Sequence, residues 1–144
     1  LSGAWVLNTR YGATVLMHGL PSGNPGYMGR ATLDQAVSAA HLDCMVVRPK
    51  ELSGLISLAE WPWGWCAGLA WAQHLQQQKL TLAWCPRARW TTVQPEAYPR
   101  HPHETDIEVL KEHWGSDWDN RLSHDPCYHP ALDAGAGDFS FRWD

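Results

Sequence analysis

No apolar run in this chain approaches the roughly 20 residues that a membrane-spanning helix requires, and no basic region followed by an apolar stretch opens it as a signal peptide would. A transmembrane segment is therefore not expected. Basic blocks are also missing: Lys and Arg number 11 against 15 Asp and Glu, a net charge of −4. That balance gives no electrostatic footprint for nucleic acid or for an anionic membrane surface. Cys44, Cys66, Cys85 and Cys127 form no CxxC pair. Three of them lie in apolar stretches, so free buried thiols in a reducing compartment are expected rather than disulfides or zinc. No internal repeat is visible. The first residue is Leu rather than Met, which points to a piece processed or excised from something longer.

What is present describes one folded domain. The 144 residues are 44% hydrophobic and 18% charged, enough to bury a core and too apolar for a disordered chain. Tryptophan is overrepresented, with 10 in the chain, five of them between Trp61 and Trp84. Its flat apolar face with one donor at the edge can stack on sugar rings or nucleotide bases. The plainer reading is that such large rings fill the core. Trp61, Trp63 and Trp65 are the exception, because Pro62 and Gly64 place them in a loop where rings can face solvent.

Local patterns suggest the order of elements. Trp5–Asn8 and Thr14–Met17 are β-prone runs around Arg10-Tyr11-Gly12, so a hairpin is predicted. Residues 21–25 read as a loop. Cys44-Met45-Val46-Val47 is a continuous apolar run, the pattern of a central strand buried on both faces, and Pro49 ends it. Lys50–Leu55 reads as a short helical turn. From about Trp65 to Gln78 there is no proline, and Leu69, Ala72 and Leu75 recur at helical spacing. Leu80, Leu82 and Trp84 then alternate with smaller residues as a strand does. Pro95, Pro99 and Pro102 mark a loop. Thr105-Asp106-Ile107-Glu108 has the form of a capping box, followed by Ile107, Leu110 and Trp114 on one face and Gly115 at the end. The chain thus divides into 1–60 (hairpin, loop and central strand), 61–92 (Trp-rich loop, helix and strand) and 93–144 (Pro-rich loop, capped helix and tail). A helix followed by a strand at this spacing suits an α/β layer: a mixed sheet with flanking helices.

Two clusters carry side chains capable of chemistry. His101, His103 and Glu104, with Asp106, offer imidazole and carboxylate ligands suited to zinc; a surface loop with a helix cap is the plainer reading. Asp117-Trp118-Asp119 has the letters of an Asp-x-Asp pair, but two carboxylates at that spacing are a weak motif, and a solvated loop is the better reading. Tyr128 and Pro130 are expected to pack.

The tail is the most informative stretch. Glu112-His113-Trp114-Gly115, then Asp125-Pro126-Cys127-Tyr128-His129-Pro130-Ala131-Leu132, then Asp138-Phe139-Ser140-Phe141 resembles a Trp-Gly helix end, a DPxYxPxL turn and a DFS strand. These close the carboxy-terminal part of bacterial family 2 glycosyltransferases. Pro25-Gly26-Tyr27-Met28-Gly29-Arg30 is similar to a PGYxGR stretch in that family. Val37-Ser38-Ala39-Ala40 through Arg48 resembles the segment leading into its central strand, and Trp71 through Pro86 its helix-and-strand unit. The resemblance covers nearly the whole chain.

The resemblance implies the acceptor-side half of a nucleotide-diphospho-sugar transferase (GT-A) fold, used in polysaccharide or glycan assembly. It implies an acceptor-side saccharide site at His41, Asp43, Trp61, Trp63 and Trp65. Its acidic pair, one member of which acts as general base on the acceptor hydroxyl, falls at Gly68 and Ala70, and a metal-supporting histidine falls at Thr92. None of these supplies the family's group, and no amino-terminal nucleotide-binding half is present. No cofactor is expected for this chain alone; a divalent metal and a nucleotide-sugar are implied only where a donor half is supplied elsewhere. The expected partners are a saccharide acceptor and either a donor-half domain or a second copy. The expected location is the cytoplasm, or the inner face of the membrane as a peripheral protein. Two functions follow: part of a sugar-transfer enzyme, inactive in isolation, or a non-catalytic saccharide-binding or scaffolding module derived from one.

Overall fold

The turn Thr9–Tyr11 is too short to join anything but antiparallel neighbours, and the hairpin it closes organises the molecule. The computed structural model describes residues 4–42, 45–48, 50, 64–89 and 99–143, with the backbone alone at 64–66. In chain order the regular elements are strands β1 (Ala4–Asn8), β2 (Gly12–Val15), β3 (Gln35–Val37) and β4 (Ala39–Ala40), helix α1 (Gly64–Gln77), strand β5 (Leu82–Trp84), and helices α2 (Glu104–Trp114) and α3 (Trp118–Ser123). A 3₁₀ turn spans Tyr27–Thr32 and another Gly115–Asp117.

β1 pairs with β2, Trp5 opposite Val15 and Asn8 opposite Gly12. The Tyr11 N–H donates to Asn8 Oδ1 at 2.8 Å and locks the turn. On its other side β1 pairs with β4, so the strand order is β2-β1-β4; β3 and β5 form a separate pair. Alternation along β1 and β2 explains the layering. Trp5, Ala13 and Val15 meet Leu69, Ala72, Leu110, Trp114 and Leu122 of the helices. Ala4, Val6 and Leu16 meet Val37, Tyr128 and Phe139. The hairpin is therefore covered by helices on one face and by the irregular tail on the other.

The tail is held by polar contacts instead of strand pairing. Buried Asp125 accepts the Leu7 N–H at 2.7 Å and the Cys127 N–H at 2.8 Å, and also the Ser38 hydroxyl. The Tyr128 hydroxyl accepts from the Phe139 N–H at 2.8 Å and donates to Asp133 O at 3.4 Å. Met17 N–H donates to Gly137 O at 2.8 Å. Gly137, at φ 65, lies so near β2 that a Cβ would sit 2.8 Å from Thr14 Cγ2.

The hairpin, α1, β5 and the apolar face of α2 stand close to where the sequence puts them, and the α/β class holds. Gly115 takes positive φ (52) at the end of α2. Several expectations are corrected. The sheet is not mixed: among the described residues every strand pair is antiparallel, β1 with β2 through a tight turn, β1 with β4 and β3 with β5 across long connections. The central strand expected at 44–47 is not found over its described part, 45–47, where the backbone is irregular and Val46 fully exposed; the pairing falls earlier, at β3 and β4, which reach β5 and β1 directly.

The N-cap of α2 falls two residues before the expected one, Thr105. His103 is the N-cap, and the Asp106 carboxylate accepts its N–H at 3.2 Å. The shorter acid reaches back from a buried position (2% exposed). Asp117-Trp118-Asp119 is no loop but leads from a 3₁₀ turn into α3, with Asp117 paired to Arg121 at 3.2 Å. The DFS stretch is not a strand: Phe139 sits at φ 65, and only Phe141 makes a β-bridge, to Leu132. Tyr128 packs as expected, whereas Pro130 is exposed. Cys85 is half-buried and Cys127 exposed. Asp43, Cys44, Lys50–Leu55 beyond its first residue, Trp61, Trp63, Thr92 and the segment around Pro95 lie outside the described residues, as does the side chain of Trp65.

Candidate functional site: a groove between the Tyr27 loop and the tail

Of the residues nominated from the sequence for a saccharide site, His41 alone has a described side chain. His41 is 5% exposed and its ring lies 5.0 Å from that of Trp5, so it packs in the interior rather than orienting a surface ligand. Gly68 and Ala70 fall inside α1 rather than a turn ahead of it. A Cβ on Gly68 would lie 2.8 Å from the carbonyl oxygen of Ala40, and Ala70 is 3% exposed. Both are close-packing positions where α1 rests on β4. Neither residue offers a group that could act as a base, and neither has space for one.

His101, His103 and Glu104 likewise form no ligand set. His101 stacks on Tyr11 with centroids 3.9 Å apart and places Nδ1 3.2 Å from Thr14 Oγ1, while His103 serves the helix start. Among the described residues, no group of three or more His, Cys, Asp or Glu is arranged to hold a metal ion. Ser38, Asp125 and Cys127 lie together but resemble a reactive centre only in composition. Both Asp125 oxygens accept bonds, burial pushes the Cys127 thiol up, and the crevice beside them has about 10 Å³, room for one water at most.

His101 does carry a pH signature. Burial lowers its pKa, and the nearby cations Arg100, His18 and Arg10 lower it further, against an opposing hydrogen bond with the Ala13 backbone. The unfolded chain therefore takes up this proton first as pH falls below about 6.5. Stability should be unaffected by this residue above that pH and should decline through the interval between the unfolded value and the lowered folded one. Thermal midpoints of wild type and His101→Gln from pH 7.5 to 5.0 should converge in slope at the upper end and separate at the lower, the variant falling less. Parallel curves would remove His101 from the account.

One site-sized concavity is built differently. It has a volume of about 400 Å³ and is lined by Met17, His18, Leu20, Asn24 and Tyr27 together with Asp138 and Ser140 of the tail. That volume falls in the range of small-molecule sites. Its walls come from three places. Beyond β2, Met17 takes φ 55 and the chain turns outward, with Leu20 N–H donating to Met17 O at 3.1 Å. Pro25 and Gly26 start the 3₁₀ turn, closed by Ala31 N–H to Pro25 O at 2.9 Å, which leaves Tyr27 40% exposed. The Tyr128 clamp brings the tail across.

Asp138 is the charged acceptor in the groove. Burial alone would raise its pKa, but the Ser140 hydroxyl, the Ser140 N–H (2.9 Å to Oδ1) and Arg100 outweigh it and hold the carboxyl below its usual range. Asn24 Oδ1 accepts the Gly26 N–H at 2.9 Å, which leaves its amide N–H₂ as an available donor. A ligand thus meets an ionised carboxylate, a hydroxyl, an amide, an imidazole and a phenol ring. None of these residues was nominated as a site from the sequence, though Tyr27, Asp138 and Ser140 belong to the motifs that carried the resemblance.

Comparison with protein-family models, curated proteins and solved structures finds no match to this chain. No helix among the described residues is long and apolar enough to cross a membrane.

Proposed function

We propose that this chain is a glycosyltransferase-like unit, the acceptor-side part of a sugar-transfer protein for polysaccharide or glycan assembly, and that its own task is to hold a saccharide in the groove between Tyr27 and Asp138. The observation that carries the reading is the meeting of two motifs far apart in sequence in the lining of one groove, through Gly26 and Tyr27 of the first and Asp138 and Ser140 of the second. A sugar ring has an apolar C–H face and a rim of hydroxyls. Tyr27 suits the face, and Asp138, Asn24 and Ser140 suit the rim.

Transfer itself calls for more than this unit offers. The packing of Gly68 and Ala70 leaves no carboxylate to act as base at those positions, a loss of about 10²–10⁴-fold in rate where such a base is used. Activity therefore depends on a donor half with its own metal and nucleotide-sugar, in the same polypeptide or on a partner; the isolated chain should bind and not transfer. The same packing favours the second reading, a non-catalytic saccharide-binding module derived from a transferase. The sequence encoded ahead of Leu1 separates the two, since a nucleotide-binding half with an Asp-x-Asp belongs only to the first.

Binding is tested by NMR titration with glucose, galactose, mannose and N-acetylglucosamine into the millimolar range. A bond to a charged acceptor is worth about 1.5–3 kcal/mol, so Asp138→Asn should weaken the best ligand by roughly ten- to a hundredfold. Tyr27→Ala should weaken it as well, and neither should alter the melting temperature by more than a few degrees. Undiminished binding in both variants, or no binding of any sugar, would refute the groove.

A further inference from the structure

We infer that the groove opens onto an aromatic strip and that its ligand is a linear oligosaccharide, several sugars long, rather than a single sugar. The inference rests on the groove reading above. Three exposed rings form a contiguous run that starts at the groove lining: Tyr27, Phe141 and Trp143, which are 40%, 49% and 89% exposed. Neighbours meet edge to face, with centroids 6.1 Å apart for Tyr27 and Phe141 and 6.5 Å for Phe141 and Trp143.

The backbone explains the row. Phe141 bridges Leu132, and Arg142 N–H donates to Ala131 O at 3.0 Å, so this end of the tail runs extended. In an extended chain alternate residues share a side, which puts Phe141 and Trp143 together with Arg142 turned from them. Ser140, one residue before the row, lines the groove. Groove and strip are thus continuous through consecutive residues.

Large rings held in water mark an interaction site. Two features of this one favour a saccharide chain over a protein. The strip is one ring wide, whereas a stable protein interface needs on the order of 1,000 Å². Charge also lies close by: Asp138 lines the groove, and Arg30 belongs to the same 3₁₀ turn as Tyr27. Interface cores are depleted of charge, whereas sugars present hydroxyls to charged groups and C–H faces to rings in the same contact.

The test uses matched series of linear oligosaccharides, one to four units, of glucose, mannose, galactose and N-acetylglucosamine, read by calorimetry and NMR. In the best series, affinity should rise by about tenfold or more from one unit to three, as two further rings are engaged. Trp143→Ala should cut the rise and keep the single-sugar affinity, and the double variant Phe141→Ala/Trp143→Ala should abolish the rise. Trp143 is nearly all in water, so its loss leaves the fold intact, as a melting curve will verify. A single sugar that binds with no gain from longer chains overturns the inference and spares the groove. Failure of every probe overturns both. If sedimentation instead shows a dimer that the double variant dissolves, with oligosaccharide affinity unchanged, the strip belongs to a second copy and the inference is wrong.

Discussion

Gly68→Asp, which puts a carboxylate where the resemblance expects one, should unfold the protein rather than create a base. A Cβ at this position would be 2.8 Å from the Ala40 carbonyl oxygen, and a backbone atom inside a paired strand cannot rotate away. Overpacking of this kind costs about 1–3 kcal/mol. An unpaired carboxylate pressed between α1 and β4 adds several kcal/mol more. Against a total stability of about 5–15 kcal/mol, most of the folded population is lost. Gly68→Ala gains up to about 1 kcal/mol of helix propensity and suffers the same contact, so it should be destabilised far less. Denaturant unfolding of both variants measures this. A Gly68→Asp protein as stable as wild type would mean that α1 does not rest on β4 as described.

Asp125→Ala should be the next most damaging change. This side chain alone joins β1, the Ser38 linker and the tail, accepting from the Leu7 N–H, the Ser38 hydroxyl and the Cys127 N–H. Hydrogen bonds to a charged group are worth about 1.5–3 kcal/mol each and are not additive, so a total of roughly 3–5 kcal/mol is expected. At about 4 °C per kcal/mol for a chain of this size, the thermal midpoint should fall by roughly 10–20 °C. Asp125→Asn keeps one acceptor oxygen and should lose less. A melting temperature within a few degrees of wild type for Asp125→Ala would show that the tail is held by its apolar contacts alone.

These two positions also show what could be read from the chain and what could not. Leu69, Ala72 and Leu75 revealed α1 because burial on one face leaves a periodic trace, and all three are in the core. The hairpin was legible for the same reason. Gly68 was readable only as an absent acid; its role depends on how near Ala40 comes, a distance that no local pattern encodes. The apolar run 44–47 looked like a buried strand, but hydropathy does not choose a partner, and the pairing went to the shorter segments 35–37 and 39–40 that reach β5 and β1. Likewise the α2 cap moved to His103 because Asp106 finds its donor there, a competition between adjacent acids that spacing leaves open.

The groove was the least legible feature. Tyr27 and Asp138 are over a hundred residues apart, and only the tail's return across β2, fixed by Asp125 and the Tyr128 hydroxyl, makes them neighbours. The tryptophan count drew attention to Trp61, Trp63 and Trp65. Of the rings that are described, Trp5, Trp71 and Trp114 fill the core as such residues usually do, while Trp143 stands in solvent beside the groove.

The central claim is that a saccharide sits between Tyr27 and Asp138. Its most direct test is one NMR experiment that follows backbone and indole N–H signals together while the best-binding trisaccharide is added. The account predicts shifts for the backbone of His18, Asn24, Tyr27, Asp138 and Ser140 and for the Trp143 indole, with the indoles of Trp61, Trp63 and Trp65 unmoved. Shifts confined to those three indoles, with the groove silent, would contradict it.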